Sequence, residues 1–129
     1  RPDRRVIVLD GDASLLMNMG SLVTAAAAAP KNFYHFVCEN GTYEANGGHP
    51  IPNQGKVSFA GLARSAGYGS VHEFSDLKNF EQQIGAVLAE PGPVFAVLKI
   101  ARSGPQRRDY NRIHGADVRQ AFKDALAKA

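Results

Sequence analysis

Two short turns hold the residues of this chain that are best suited to chemistry. The turn Gly11-Asp12-Ala13-Ser14 directly follows the apolar run Val6-Ile7-Val8-Leu9, and Asn40-Gly41-Thr42 follows the run from Phe33 to Cys38. The first turn offers a carboxylate, small residues and the start of a helix, and the second offers an amide oxygen and a nearby backbone carbonyl. Because open parallel sheets bind ligands at the carboxyl ends of their strands, the two turns predict a site for a diphosphate carried on Mg²⁺.

These turns must be positioned by the strands and helices around them. Four apolar runs predict strands at roughly 5–10, 33–38, 69–74 and 94–101. Helix-like stretches separate these runs, a pattern typical of a three-layer α-β-α fold whose parallel sheet carries helices on both faces. Residues 1–129 are therefore predicted to form one α/β domain.

Capping and breaking residues set the predicted bounds of the helices. Ser14 is expected to cap one continuous helix that ends in the alanine run before Pro30. Further helices are predicted over 58–66, from Ser75 or Asp76 to Glu90, and over about 116–128.

The stretch from Asn40 to Val57 contains four glycines and two prolines and has little apolar periodicity. A loop this long is uncommon without a function. We interpret it as a loop over a cofactor or substrate, and a surface insertion is the alternative. Glu44, Asn46 and His49 lie on this loop, and no catalytic role is assigned to them.

Composition excludes several classes of protein. With 129 residues, 44% hydrophobic, the chain can bury a real core. A single cysteine, Cys38, rules out an intramolecular disulfide and fits a reducing cytoplasm. No apolar run reaches about 18 residues, so no membrane span is expected.

The basic residues that give the net charge of +3 are scattered along the chain, so no nucleic-acid partner is expected. The densest basic cluster is interpreted as a subunit contact or plain surface: Arg102, Arg107, Arg108 and Arg112.

Other ligand motifs are incomplete. Gly55-Lys56 is followed by Val57 and lacks the first glycine of a P-loop, while Gly67 and Gly69 lack the third glycine of a dinucleotide fingerprint. The four histidines are not clustered with cysteines or acidic pairs, so a zinc site is not expected.

The two turns also carry a family resemblance. A Gly-Asp-Gly-like turn followed by Asn40, 28 positions after Asp12, resembles the signature of thiamine-diphosphate enzymes. Residues 11–20 and 40–44, with Gly47-Gly48-His49-Pro50, are similar to the cofactor domain of phosphonopyruvate and sulfopyruvate decarboxylases. The resemblance implies the diphosphate domain of the thiamine-diphosphate-binding fold. The strand and helix that precede Arg5 in relatives are expected to be missing.

The resemblance implies the site residues. Mg²⁺ would be held by the Asp12 carboxylate, the Asn40 side-chain oxygen and the Thr42 backbone carbonyl, with diphosphate oxygens and a water completing the shell. Ala13 departs from the commonest Gly-Asp-Gly form without removing a ligand. Glu39 stands where many relatives carry a second asparagine, which leaves only its own role open. The implied cofactor-binding residues are Gly11, Asp12, Ala13, Ser14, Asn40, Thr42 and Tyr43.

The resemblance implies a decarboxylase that uses thiamine diphosphate and Mg²⁺ on a small anionic 2-oxo acid. The chain is too short to include the pyrimidine-binding domain, so a partner domain or subunit would supply the activating glutamate in an assembly that is at least a dimer. An acetolactate-synthase-like carboligase and a non-catalytic, doubly wound binding module remain alternatives.

Either turn alone is more simply explained by its local structure. Asp12 alone would be an ordinary capping residue, and Asn40-Gly41 an ordinary turn or, with Thr42, a glycosylation acceptor. If both bind the metal, replacing Asp12 or Asn40 by alanine is expected to abolish Mg²⁺-dependent cofactor binding while leaving the fold largely intact.

Overall fold

Four parallel strands form the central sheet. The computed structural model describes residues 2–104 and 109–128. Its strands are β1 (Val6–Gly11), β2 (Phe33–Glu39), β3 (Thr42–Tyr43), β4 (His49–Pro50), β5 (Ser70–Phe74) and β6 (Val94–Lys99). The sheet order is β1-β2-β6-β5 with every pair parallel, and β3 and β4 form a separate antiparallel hairpin. The four predicted strands are therefore present, each within two residues of its expected ends.

Helices cover both faces of the sheet. They are α1 (Asp12–Met17), α2 (Gly20–Ala28), α3 (Phe59–Ala66), α4 (Leu77–Val87), α5 (Tyr110–His114) and α6 (Ala116–Ala127). Leu15, Leu22 and Phe59 belong to α1, α2 and α3 and are buried in one core with Val37 and Phe95 of the sheet. Val87 of α4 lies in a second core with other sheet residues, Tyr34, Phe36, Phe74, Val94 and Ala96. The predicted three-layer α/β fold is thus confirmed.

Burial explains the apolar pattern of the strands. Strand β6 is central, and its residues Val94 to Val97 are 0% exposed, which requires an unbroken apolar run. Burial of each valine or phenylalanine side chain in this run stabilises the fold by about 1.5–3 kcal/mol relative to an exposed one. Strand β1 is an edge strand, and its Ile7 and Leu9 are 49% and 72% exposed.

The first predicted helix is wrong in two respects. It is broken after Met17 into α1 and α2, because the backbone of Asn18 leaves the helical region (φ −144°, ψ 50°). The hydroxyl and backbone N–H of Ser21 then bond the Asn18 carbonyl, at 2.8 and 3.1 Å. Ser14 is not the N-cap, since α1 begins at Asp12 and Gly11 takes the capping position.

The other helices lie close to their predicted bounds. Ser58 caps α3 by accepting a hydrogen bond from Gly61 N–H, and Gly67 ends that helix with a left-handed backbone (φ 106°). Asp76, not Ser75, caps α4 by accepting from Asn79 N–H, and α4 ends at Val87, three residues before the expected end. Within the described residues, no helix is long and apolar enough to cross a membrane.

The carboxyl-terminal helices lie on the outside of the fold. Helix α5 has no predicted counterpart, and α6 matches the predicted last helix, but the apolar stripe of α6 is exposed: Val118 42%, Phe122 64% and Leu126 54%. Of the basic cluster, Arg102 and Arg112 are exposed, whereas Arg107 and Arg108 lie outside the described residues.

Candidate functional site

The two predicted turns meet at one edge of the sheet. Strands β1 and β2 are adjacent and parallel, and Gly11 is paired in register with Cys38. The residues that follow these strands, Asp12 and Asn40, therefore emerge side by side at the carboxyl ends. This is the edge where open α/β sheets bind their ligands.

Asp12 is a buried carboxylate held by backbone donors. Its side chain is 1% exposed; Oδ1 accepts from Ala13 N–H at 2.8 Å, and Oδ2 accepts from Asn40 N–H at 3.1 Å and Gly41 N–H at 2.6 Å. Among the lysines and arginines in the described ranges, none forms an ion pair with it. A buried negative charge is costly without a cationic partner, so this arrangement fits a bound metal ion.

The amide of Asn40 has a single orientation that satisfies its neighbours. Nδ2 donates to Glu44 Oε2 at 2.8 Å, while Oδ1 accepts from Thr42 N–H at 2.9 Å and from Thr42 Oγ1 at 3.0 Å. A carboxylate can only accept and a backbone N–H can only donate, so the positions of oxygen and nitrogen follow from chemistry. Oδ1, which is the amide atom able to coordinate a metal ion, therefore lies on the side of Thr42.

The hairpin of β3 and β4 positions the third predicted ligand, the Thr42 carbonyl. Thr42 is 3% exposed and lies opposite Pro50, which has no N–H to donate to it. The carbonyls on either side are already used: Gly41 O accepts from Ile51 N–H and Tyr43 O accepts from Gly48 N–H, both at 3.0 Å. The donor set of one carboxylate, one amide oxygen and one carbonyl suits a hard cation such as Mg²⁺.

A cleft of about 390 Å³ opens above these residues. Every predicted cofactor-binding residue lines it, so the structure brings the whole predicted set together: Gly11, Asp12, Ala13, Ser14, Asn40, Thr42 and Tyr43. Ser14 is exposed on the first turn of α1 and lines the cleft. The binding role of these residues stays a prediction. Within the described part of the chain, no three His, Cys, Asp or Glu side chains converge on one point.

Glu44 is the residue of this site that sequence reasoning did not assign. Besides holding Asn40, its carboxylate accepts from Ser103 N–H at 2.6 Å, Ser103 Oγ at 3.0 Å and Gly104 N–H at 3.0 Å. These partners are 59 and 60 positions away in the sequence, so no local pattern could have indicated them. Asn46 also lines the cleft, whereas His49 is not among the lining residues.

Burial and hydrogen bonding shift the titration of groups around the site. Hydrogen bonds, that from the Ser103 hydroxyl above all, hold the pKa of Glu44 below its ordinary value. Burial raises the pKa of Cys38, and the nearby Asp12 and Asp10 raise it further. Burial also raises the pKa of Glu39, against the lowering effect of Lys99. Glu44 therefore carries its negative charge at neutral pH, while the raised pKa keeps Cys38 in its neutral thiol form.

Comparison with solved structures identifies the fold. The chain aligns with the Rhodococcus jostii RHA1 thiamine diphosphate-dependent 4-hydroxybenzoylformate decarboxylase at a TM-score of 0.59 and 23% identity, over 82% of this chain and 21% of that one. The match places the sheet and its helices in the same architecture as a region of that enzyme.

Curated relatives share more of the sequence. The chain is 32% identical over 120 residues to a phosphonopyruvate decarboxylase of Streptomyces viridochromogenes, over 93% of this chain and 30% of the relative. It is 45% identical over 98 residues to the sulfopyruvate decarboxylase subunit beta of Methanothermobacter thermautotrophicus, over 76% of this chain and 50% of the relative. The chain thus spans at most half the length of these two relatives.

The family model described as "Thiamine pyrophosphate enzyme, C-terminal TPP binding domain" matches residues 1–98, which include both turns and all four strands of the parallel sheet apart from the last residue of β6. The match covers about three quarters of the chain. The chain therefore belongs to the family of C-terminal TPP binding domains of thiamine pyrophosphate enzymes.

Proposed function

We propose that this chain is the diphosphate-binding part of a thiamine-diphosphate- and Mg²⁺-dependent decarboxylase acting on a small anionic 2-oxo acid such as phosphonopyruvate or sulfopyruvate. The observation that carries the proposal is the buried Asp12 carboxylate, which accepts from the backbone N–H of Asn40 where two adjacent strands end, with both residues lining the cleft. Family membership and the activities for which the relatives are named support the cofactor and the substrate class.

Asp12, Asn40 and Thr42 would hold the metal, through a carboxylate oxygen, Oδ1 and the backbone carbonyl. Gly11 and Ala13 let the backbone approach the diphosphate closely, because neither carries more than a methyl group. Ser14 adds a hydroxyl donor at the wall of the cleft. In this arrangement the chain's own residues bind and orient the cofactor and hold the metal at the diphosphate.

Thiamine diphosphate would supply the carbanion that adds to the keto carbon and the electron sink that allows CO₂ to leave. The activating glutamate would come from a pyrimidine-binding domain or subunit, so the complete site forms at an interface. Three relatives named as subunit beta of sulfopyruvate decarboxylase support this division between chains.

An anionic substrate is supported by a second pocket that adjoins the cleft. The pocket has a volume of about 270 Å³ and shares Thr42, Glu44 and Gly104 with the cleft. Arg102 lines it together with Gly47 and Gly48. A guanidinium there suits a sulfonate or phosphonate group, since planar nitrogen donors match tetrahedral anions.

The test is a calorimetric titration of thiamine diphosphate with Mg²⁺ into the chain, alone and mixed with a pyrimidine-domain partner. Metal-dependent binding that tightens with the partner supports the shared site. No binding in either sample, with the partner folded, would overturn the proposal in favour of a non-catalytic binding module. Product analysis then separates the enzyme classes, since a carboligase would convert pyruvate to acetolactate and a decarboxylase would release an aldehyde.

A further inference from the structure

Glu44 connects two parts of the chain that are far apart in sequence. It begins the 3₁₀ turn Glu44–Asn46 directly after β3, and the residue is partly exposed and lines the cleft. One oxygen, Oε2, accepts from Asn40 Nδ2, and the other, Oε1, accepts the three hydrogen bonds from Ser103 and Gly104. Four donors thus converge on one side chain.

The contact with Asn40 fixes which end of the amide is available to a ligand. With Nδ2 on Glu44, Oδ1 is on the side of Thr42. A flipped amide would place its oxygen against the carboxylate and its NH₂ against Thr42 N–H, so both contacts would become repulsive. Glu44 therefore stabilises the orientation in which the Asn40 oxygen lies beside Thr42, the residue whose carbonyl is the other proposed oxygen ligand.

The contacts with Ser103 and Gly104 hold one wall of the cleft. Both residues line the cleft, five residues or fewer after β6 ends at Lys99. Ile100 N–H bonds the Glu39 carbonyl at 3.0 Å, which continues the sheet by one residue. Beyond that point, the Glu44 carboxylate accepts three hydrogen bonds from residues 103 and 104, which hold these residues against the cleft.

We propose that Glu44 is a positioning residue that couples the orientation of the Asn40 amide to the placement of the Ser103-Gly104 wall, so that metal binding and this wall depend on the same carboxylate. The proposal rests on the proposed function for its metal step only. A carboxylate is required because Asn40 and the Ser103-Gly104 wall both donate hydrogen bonds to it. Glutamine has one acceptor oxygen and one NH₂ group, so it can satisfy Asn40 or the wall but not both.

The first measurement needs no ligand. Amide hydrogen exchange of Ser103 and Gly104 is followed in the free chain for the wild type, Glu44→Ala and Glu44→Gln, with the β6 residue Val97 as the reference for an intact fold. Exchange at 103 and 104 is expected to accelerate about tenfold or more in Glu44→Ala, from the loss of hydrogen bonds to a charged acceptor. Unchanged exchange there would overturn the proposal. If Glu44→Ala fails to fold, Glu44→Gln decides the question by two readouts, since glutamine can satisfy Asn40 or the wall but not both: unchanged exchange at 103 and 104 together with wild-type Mg²⁺ affinity in that variant would overturn the proposal.

The second measurement is the affinity for Mg²⁺ at saturating thiamine diphosphate, by calorimetry with the partner present. Glu44→Ala is expected to weaken Mg²⁺ binding roughly 10- to 100-fold, the usual effect of removing a residue that orients a metal ligand. Glu73→Ala is the matched control, because Glu73 is paired with Lys99 at the same edge of the sheet but has no contact with Asn40 or the wall among its described contacts. An equal loss in both variants, or none in Glu44→Ala, would overturn the coupling to the metal.

The two measurements separate this proposal from the proposed function. A wild-type chain that binds neither Mg²⁺ nor thiamine diphosphate would overturn the proposed function and, with it, the metal step of the coupling. The exchange data would still decide whether Glu44 holds the wall.

Discussion

The carboxylate of Asp12 accepts a hydrogen bond of 2.6 Å from the backbone N–H of Gly41, across the gap between two adjacent strand ends. A second bond of 3.1 Å, from Asn40 N–H, reaches the same oxygen. Asp12 therefore has a structural role besides its proposed role as a metal ligand, because it connects the turn after β2 to the start of α1. This argues against the sequence-based expectation that alanine at this position would leave the fold largely intact.

Replacing Asp12 separates these two roles. Asp12→Ala removes the partner of three backbone N–H groups, and each unsatisfied buried donor costs about 1–3 kcal/mol. Asp12→Asn keeps one acceptor oxygen, so we expect it to lower the free energy of unfolding by less than Asp12→Ala does. Both variants should lose Mg²⁺-dependent binding of thiamine diphosphate. Urea unfolding and calorimetry measure the two effects.

Asp10→Asn is the matched control for this prediction. Asp10 is a part-buried carboxylate that accepts from Gly11 N–H at 2.8 Å but does not line the cleft. Its replacement should change stability and leave cofactor affinity as in the wild type. Wild-type affinity for Mg²⁺ in Asp12→Asn would remove Asp12 from the predicted ligand set.

Gly41 is required by both its backbone conformation and its surroundings. Its φ is 74°, and a Cβ built there would lie 2.6 Å from Gln54 Nε2 and 3.1 Å from Gln54 Cγ. Gly55 has nearly the same φ, 75°, with no atom within 4 Å of its added Cβ. Both alanine variants should lose about 1 kcal/mol for the left-handed conformation, and Gly41→Ala should lose more because Gln54 must move.

The excess loss in Gly41→Ala should disappear when Gln54 is also replaced by alanine. Chemical denaturation of the two single variants, Gln54→Ala and the double variant forms a thermodynamic cycle. Equal losses in Gly41→Ala and Gly55→Ala would show that Gln54 moves aside at no cost, and the prediction would be wrong.

Much of the fold could be predicted because its signals are local. The apolar run of β6 is continuous because that strand is buried on both faces, and Gly67 ends α3 where a left-handed residue is needed. The edge of the sheet at which the candidate site lies was also predictable. Two polar turns directly after two apolar runs meet wherever those runs form adjacent parallel strands, as β1 and β2 do.

The features that were not predicted depend on contacts distant in sequence or on weak local preferences. The helical spacing of Leu15, Met19 and Leu22 continues across the break at Asn18, so the pattern predicted one helix where the backbone forms two. Strands of two residues, such as β3 and β4, are too short for a periodic signal. The bonds from Glu44 to Ser103 and Gly104 exist only once the sheet has placed those segments together.

Arg102 should affect the substrate and not the cofactor. If its guanidinium binds the anionic group of the 2-oxo acid, Arg102→Gln should raise KM about tenfold, the effect of losing about 1.5 kcal/mol from one charge-assisted hydrogen bond. A group that binds ground state and transition state equally leaves kcat unchanged. Steady-state kinetics with sulfopyruvate, with the partner present, measures both constants.

The control for Arg102 is Arg64→Gln, which removes an exposed positive charge on α3 outside both pockets. It should leave KM unchanged, and calorimetry should find the same thiamine diphosphate affinity in both variants. An unaltered KM in Arg102→Gln, or an equal rise in Arg64→Gln, would exclude a specific contact between Arg102 and the substrate.

His35 should make the stability of this domain depend on pH. It is 6% exposed, its ring meets Phe95 edge-on at 5.1 Å, and its Nε2 lies 3.5 Å from Asp10 Oδ2, too far for a good hydrogen bond. Burial lowers the pKa of His35 below its ordinary value of 6.5, against the raising effect of Asp10.

Because the folded state takes up this proton less readily than the unfolded state, the stabilising contribution is complete above pH 6.5 and is lost as the pH falls from there toward the folded-state pKa. The free energy of unfolding should therefore fall by up to about 1.4 kcal/mol per pH unit below pH 6.5. His35→Phe removes the titrating ring and keeps an aromatic contact with Phe95, so its unfolding free energy should fall less over the same interval. Glu39, whose pKa is raised from 4.5, titrates with the opposite sign but is present in both proteins. Urea unfolding at half-unit steps from pH 8 to pH 5.5 gives the comparison, and parallel curves for the two proteins would show that His35 does not contribute.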